Sequence, residues 1–399
     1  MLFGTPGHQQ PTRRVVITGI GAVSCCGVGA NALFSGLLEG RFADDHLVPD
    51  FNAGDYFGVK EARRVDRFAQ LAVAAAAEAY DDAQLTDALD HDRIGVIFGT
   101  GIGGMMTLTA QQMVLAEKGP DRVSPFLAPM MMPNAGAAQI AMRYGFRGPA
   151  ETITTACAAG THAIGAAARL IASGRVDVVM TGGSESVVDP LALAGFGNMT
   201  ALSNSGVSRP FDVRRDGFVM SEGGGALVLE SLEHAQARGA HIYAELMGTG
   251  STADAFHITA PLEDGAGAQR AMKIAIEDAE LTLADIGHIN AHGTSTPLND
   301  QAEANAITAL FGPTSPPVTS AKGVTGHSLG AAGALEAVAS VMTIDQAIIP
   351  PTIGTSEVDP KITIDVVYGA PRRLEKPVVL SNSFGFGGHN GCLVIGRRS

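Results

Sequence analysis

The chain has only four cysteines among 399 residues, Cys25, Cys26, Cys157 and Cys392, and none sits at metal-ligand spacing from another. That scarcity argues against a disulfide framework and against a zinc site. Charge is also sparse, at 17% Asp, Glu, Lys and Arg, and basic residues are outnumbered, which leaves a formal net charge of −13. An acidic balance of this size argues against nucleic acid as a partner. No uninterrupted apolar run is long enough to span a bilayer; residues 126–132 are apolar but broken by Pro129 and closed by Pro133. The opening residues lack a charged stretch followed by an apolar one, so no signal peptide is expected. Residues 1–12 read as a short disordered lead, and a cytoplasmic enzyme fits these absences.

Hydrophobic residues make up 46% of the chain and glycine contributes fifty positions. This mixture implies close-packed helices and many tight turns in a soluble globular body large enough for a substantial core. Strand and helix patterns alternate almost throughout. Strands are expected at 14–17, 94–98, 152–155, 176–181, 226–230, 288–291, 318–320, 362–367, 378–380 and 392–395. Helices are expected at 65–83, 159–173, 267–279, 299–310 and 331–345. Such alternation predicts an α/β fold with largely buried sheets. The two openings Val15-Val-Ile-Thr-Gly-Ile-Gly and Tyr243-Ala-Glu-Leu-Met-Gly-Thr-Gly rhyme weakly, hinting at two similar halves.

Cys157 stands where a β-branched run ends and a small-residue helical pattern begins, in Thr155-Ala-Cys-Ala-Ala-Gly. A thiol at a helix N-terminus meets unpaired N–H groups and the positive end of the macrodipole, which favour thiolate. The same position suits a buried structural thiol, since free cysteine is among the most buried residue types. Two glycine-bracketed histidines follow far downstream, His292 in Asn290-Ala-His-Gly-Thr-Ser-Thr and His327 in Lys322-Gly-Val-Thr-Gly-His-Ser-Leu-Gly. A single nucleophile with two such histidines points to a catalytic constellation.

Two other motifs compete. Gly99-Thr-Gly-Ile-Gly-Gly104 follows a strand and fits the dinucleotide fingerprint, but no acidic residue ends a next strand about 20 positions on. A tight turn beside a pocket is the better reading. Gly326-His-Ser-Leu-Gly330 fits the nucleophile elbow of α/β-hydrolases, with Ser328 as nucleophile, Asp345 or Asp359 and then His389 in chain order. Against it, seven residues separate Ser328 from the strand ending at Ser320, whereas an elbow serine sits at the strand end.

Jointly, the segments around Cys157, His292 and Lys322…His327, with the tail Asn382-Ser-Phe-Gly-Phe-Gly-Gly-His-Asn390, resemble the β-ketoacyl-acyl carrier protein synthases of class II. The resemblance runs from about Arg13 to Gly396. It implies a thiolase fold with duplicated halves, 13–240 and 241–399, in five α-β-α-β-α layers, and a homodimer. It implies an elongating, decarboxylating condensing enzyme of fatty-acid synthesis, acting on acyl and malonyl thioesters of acyl carrier protein without cofactor or metal. A type II polyketide ketosynthase is the nearest alternative, and a non-catalytic acyl-binding role a more distant one.

By the same resemblance Cys157 is the nucleophile, and the N–H groups of Cys157 and Phe386 form the oxyanion hole. His292 and His327 stabilise an enolate as neutral donors, and Lys322 supports the site near Glu336. Thr294 and Thr296 would bond the pantetheine arm, Phe384 and Phe386 would gate the pocket, and Ile102 and Phe196 would line the acyl channel. Lys60, Arg63 and Arg64, in a basic cluster with Arg67, would dock the acidic carrier, since Thr200 stands where some relatives carry a basic residue. Arg214 and Arg215 form a smaller basic pair.

Overall fold

The computed structural model describes residues 13–397; the expected disordered lead, 1–12, lies outside the described residues. Its first strand, β1 (Val15–Ser24), is buried along its whole length and runs seven residues past the expected end. Helix α1 (Arg67–Asp82) packs on it, its N-terminus capped by Asp66, whose carboxylate accepts from the Phe68 N–H. The contact is close because Gly19 and Gly21 carry no side chain. A Cβ there would lie 2.3 Å from the Ala79 carbonyl and 2.1 Å from that of Ala75.

The first-half elements that build its layers continue with β2 (Ile94–Gly99), α2 (Ala135–Tyr144), β3 (Ala150–Ile153), α3 (Ala159–Ala172), β4 (Val178–Glu185) and β5 (Gly223–Ser231). Further short elements and the helices Ala30–Glu39, Met105–Lys118 and Pro190–Asn198 lie between the first-half elements. From Ala244 the same order of layer-building strands and helices returns. It comprises β6 (Ala244–Ala253), α4 (Ala266–Asp278), β7 (His288–Asn290), α5 (Pro297–Phe311), β8 (Val318–Thr319), α6 (Ala332–Gln346), β9 (Val378–Gly385) and β10 (His389–Gly396).

Strands lie side by side in the order β3-β2-β4-β5-β1, continuing β6-β10-β9-β7-β8. Each set has one pattern: β2 is parallel to β3 and β4, and β7 to β8 and β9, while the other neighbours are antiparallel. The two sets join through only two residue pairs of β1 and β6, Val16↔Glu245 and Ile17↔Ala244. The sequence rhyme has a physical cause. Gly248 and Gly250 of β6 meet the backbone of α4 as Gly19 and Gly21 meet α1, with a Cβ 2.3 and 2.0 Å from the Ala275 and Ala271 carbonyls.

Helices α3 and α6 pack on each other and on strands of both sets, forming a shared middle layer. Its burial is nearly total, with every residue of α6 from Ala332 to Ile344 enclosed. Helices α1 and α2 cover one outer face, and α4 with α5 the other, completing the five layers of a thiolase fold. The strand expected at 362–367 is a correction. Ile362, Ile364 and Val366 do alternate inward, but the segment meets β8 through a single bridge, Val318↔Val366, at the sheet edge.

Candidate active site

The carboxyl ends of the parallel strands converge, as sites in open α/β sheets do. After β3 the chain turns at Ala156, whose φ of +50° is rare for a residue with a side chain, and delivers Cys157 two residues ahead of α3. The loop after β7 brings His292, and the longer connection after β8 brings Lys322 and His327. Beyond β9 comes Phe386, set between glycines. A Cβ on Gly385 would lie 3.1 Å from the Cys157 N, so only glycine lets the backbone of β9 approach Cys157 so closely.

The Cys157 Sγ lies 3.1 Å from Nε2 of His327. The two imidazoles meet edge to face at 5.4 Å between ring centres. Lys322, wholly buried, donates to Nδ1 of His292 at 3.2 Å and to the His292 carbonyl at 2.7 Å, and forms a short ion pair with Glu336. An ammonium has only protons to give, so Nδ1 of His292 must accept, and the neutral ring carries its proton on Nε2. No partner meets Nδ1 of His327 among the described residues, so its tautomer is not fixed in this way.

Burial, with the Lys322 charge beside them, holds both histidines well below the ordinary imidazole value, so they are neutral at physiological pH. The thiolate expected at the helix start is a correction. Burial pushes the Cys157 thiol up to about 12; Lys322 and the N–H groups of Phe386 and Cys157 itself pull the other way without overcoming it. Desolvation of an anion outweighs a helix terminus that begins two residues away. The Cys157 thiol keeps its proton at rest, and the N–H groups of Phe386 and Cys157 already point at its sulfur.

A cavity of about 540 Å³ opens on these groups. Cys157, His292, His327, Phe384 and Phe386 line it, as do Thr294, Thr296, Ile102, Phe196 and Thr200. The Thr294 and Thr296 hydroxyls are 2.9 Å apart, and Thr296 also caps α5. The Phe384 ring meets His292 and the Phe386 ring meets Phe196, at 5.8 and 6.3 Å. Glu336 does not reach the cavity, so its place among substrate contacts is corrected; it meets Lys322 instead, and burial pushes its carboxyl up to about 7 against the pull of that cation.

Lys60, Arg63 and Arg64 are exposed, with Arg64 over the Phe126 ring at 4.5 Å. The other basic residues singled out are paired within the chain, Arg67 with Glu222, Arg215 with Asp359, and the exposed Arg214 with Asp212.

The competing motifs resolve on geometry. Ser328 is buried and absent from the cavity wall, while its supposed partners are engaged elsewhere, Asp345 with Arg397 and Asp359 with Arg215. The glycine loop 99–104 does cradle an anion, but that anion is the chain's own Glu185. The sequence reading missed Glu185, and it missed Glu303, whose carboxylate accepts from the N–H groups of His292 and Gly293 at 2.9 and 2.8 Å. Its only signal was an acid inside the alanine-rich inner face of α5.

Comparisons with known proteins place the whole chain in one family. Residues 47–235 match the beta-ketoacyl synthase N-terminal domain, and residues 243–356 match its C-terminal domain. A 3-oxoacyl-[acyl-carrier-protein] synthase 2 of Synechocystis sp. is 46% identical, with 96% of this chain and 98% of that protein covered. One from Staphylococcus aureus is 45% identical over 97% and 99%. Among solved structures, the ishigamide ketosynthase/chain length factor superposes with a TM-score of 0.91 at 37% identity, covering 97% of this chain and 100% of that one. A beta-ketoacyl synthase from Burkholderia phymatum gives 0.90 at 34%, with the same coverage. In fold, in sequence and in the grouping of one cysteine with two histidines, this chain belongs to the beta-ketoacyl synthase family.

Proposed function

We propose that this protein condenses an acyl-acyl carrier protein with malonyl-acyl carrier protein, releasing CO₂ and giving a 3-oxoacyl-acyl carrier protein in fatty-acid chain elongation. The observation that carries this reading is the coupling of Cys157 to His327 at 3.1 Å beside a His292 whose tautomer Lys322 dictates. The thiol is protonated at rest, so attack on the acyl thioester and transfer of its proton to Nε2 of His327 occur together. The oxyanion collects the N–H groups of Cys157 and Phe386. The carrier thiol leaves with the proton, and the acyl chain stays on Sγ within the cavity.

Malonyl-acyl carrier protein then loses CO₂, and its thioester oxygen gains enolate charge. His292 can only donate to that oxygen, from Nε2; His327, left with its proton on Nδ1 once the carrier thiol has departed, joins it after solvent exchange moves that proton to Nε2. The enolate carbon attacks the acyl carbonyl, Sγ leaves as the thiolate, and it takes up from solvent the one proton that the overall condensation consumes. Thr294 and Thr296 hold the pantetheine arm, Ile102 and Phe196 flank the acyl chain, and Phe384 and Phe386 gate its entry.

In this reading the halves divide at 240/241, a cytoplasmic homodimer is the working form, and Lys60, Arg63 and Arg64 dock the carrier. The higher identity to the synthase 2 relatives, 46% against 37% for the ishigamide ketosynthase, supports fatty-acid rather than polyketide work. Intact-mass spectrometry with acyl-acyl carrier proteins of graded length tests the proposal. It expects an acyl adduct that Cys157→Ala abolishes; labelling of Ser328 by a fluorophosphonate, with no adduct on Cys157, would overturn it.

A further inference from the structure

Glu185, at the end of β4, is fully buried and pairs with no cation among the described residues. One carboxylate there collects donors from two segments. From the loop after β2 come the Thr100 hydroxyl at 2.9 Å and the N–H groups of Gly101, Gly103 and Ile102 at 2.6, 3.2 and 3.3 Å. From the turn behind His327 comes the N–H of Gly330 at 3.2 Å. The segments touch directly, since a Cβ on Gly330 would lie 2.2 Å from the Gly101 N. Both face the cavity, through Gly101 and Ile102 on one side and His327 and Leu329 on the other. Leu329 holds a φ of +43°, a strained conformation for leucine that needs such anchoring.

A buried anion without a cation is expensive, and a neutral plug would fill the space more cheaply. Only a carboxylate can accept all five donors; a glutamine in its place would turn an NH₂ toward N–H groups. We propose that Glu185 is a positioning residue that clamps the acyl-facing loop around Ile102 to the His327 turn, setting together the room for the acyl chain and the alignment of His327 on Cys157. The proposal rests on the condensing reading above. The negative charge of Glu185 also reaches Cys157, where it opposes thiolate formation.

Two substitutions separate position from charge. Acylation of Cys157 by short and long acyl-acyl carrier proteins is followed by intact mass, and alkylation of Cys157 by iodoacetamide is followed against pH. Glu185→Gln should change the short-to-long acylation ratio by about tenfold and move the alkylation midpoint to lower pH, because an anion beside the thiolate is gone. Glu185→Asp keeps the charge but shortens the clamp, so the ratio should change while the midpoint stays. Wild-type acyl preference in either folded variant would overturn the clamp. Should Glu185→Gln fail to fold, Thr100→Val removes one donor and leaves the carboxylate. It should shift the ratio in the same direction by less, and an unchanged ratio would again overturn the clamp. A wild-type protein that takes no acyl group at all would overturn the condensing reading instead.

Discussion

The turn after β3 and the connection after β8 occupy the same place in their respective strand sets, and they are built differently. Five residues separate β3 from α3 and carry one functional side chain, Cys157; twelve separate β8 from α6 and carry Lys322 and His327. The loops after β2 and β7 form a second matched pair. In the first half that loop is saturated by Glu185, whereas in the second it presents His292 to the cavity. The contrast shows matched junctions in the two strand sets carrying different loops, one bringing Cys157 to the cavity and the other His292 and His327.

The sharpest way to break that contrast is through Lys322, the buried cation of the second half. Lys322→Ala should free the His292 tautomer and leave Glu336 buried and unpaired, costing about 3–5 kcal/mol of stability. Chemical denaturation checks the stability. Adding Glu336→Gln should recover much of it without restoring malonyl decarboxylation, because the donor to Nδ1 of His292 is still missing. Recovery of both would show that Lys322 serves only as a counter-ion.

A buried acid of the first half behaves oppositely to Glu336. Burial pushes Glu230 up, but Arg238, His234 and Thr18 outweigh it and bring the carboxyl down to about 2. Its folded value thus lies below the unfolded value of about 4.3. The stabilisation is complete above about pH 4.3 and is lost as pH falls through about 2, amounting to at most about 3 kcal/mol. Glu230→Gln should therefore flatten the acid limb of a stability–pH profile. An acid limb as steep as that of the wild type would sink the assignment.

The smallest effect concerns the surface. Lys60→Glu with Arg63→Glu should raise KM for acyl-acyl carrier protein by about tenfold at low salt, less at high salt, and spare acyl-pantetheine. Equal losses with both substrates would remove these residues from docking.

Much of this site was legible because its chemistry is written in short local segments. Cys157 sits at a junction of a β-branched run with a small-residue helix, His292 and His327 sit beside glycines, and Lys322 travels with His327. The rhyme of β1 with β6 was legible for a related reason, since the glycine pairs at 19/21 and 248/250 answer one packing demand. What stayed hidden depends on contacts between distant segments. Nothing local marks Glu185 or Glu303 as anchors of loops some 80 and 10 residues away. Local reasoning also misjudged the thiol, because a helix start is visible in sequence whereas full desolvation is not. Residues 362–367 alternate as a strand does, yet whether a neighbour lies alongside is a tertiary fact.

The division of labour between the halves meets its most direct test in CO₂ release from malonyl-acyl carrier protein. Cys157→Gln removes the nucleophile, leaves both histidines and places an amide where the acyl group would lie, so it should fail to condense yet still decarboxylate. His292→Ala should retain some acylation of Cys157 while decarboxylation falls by about 10²–10³, the usual loss for one oxyanion donor. A folded Cys157→Gln protein that releases no CO₂, or a His292→Ala protein that releases it at the wild-type rate, would contradict the account.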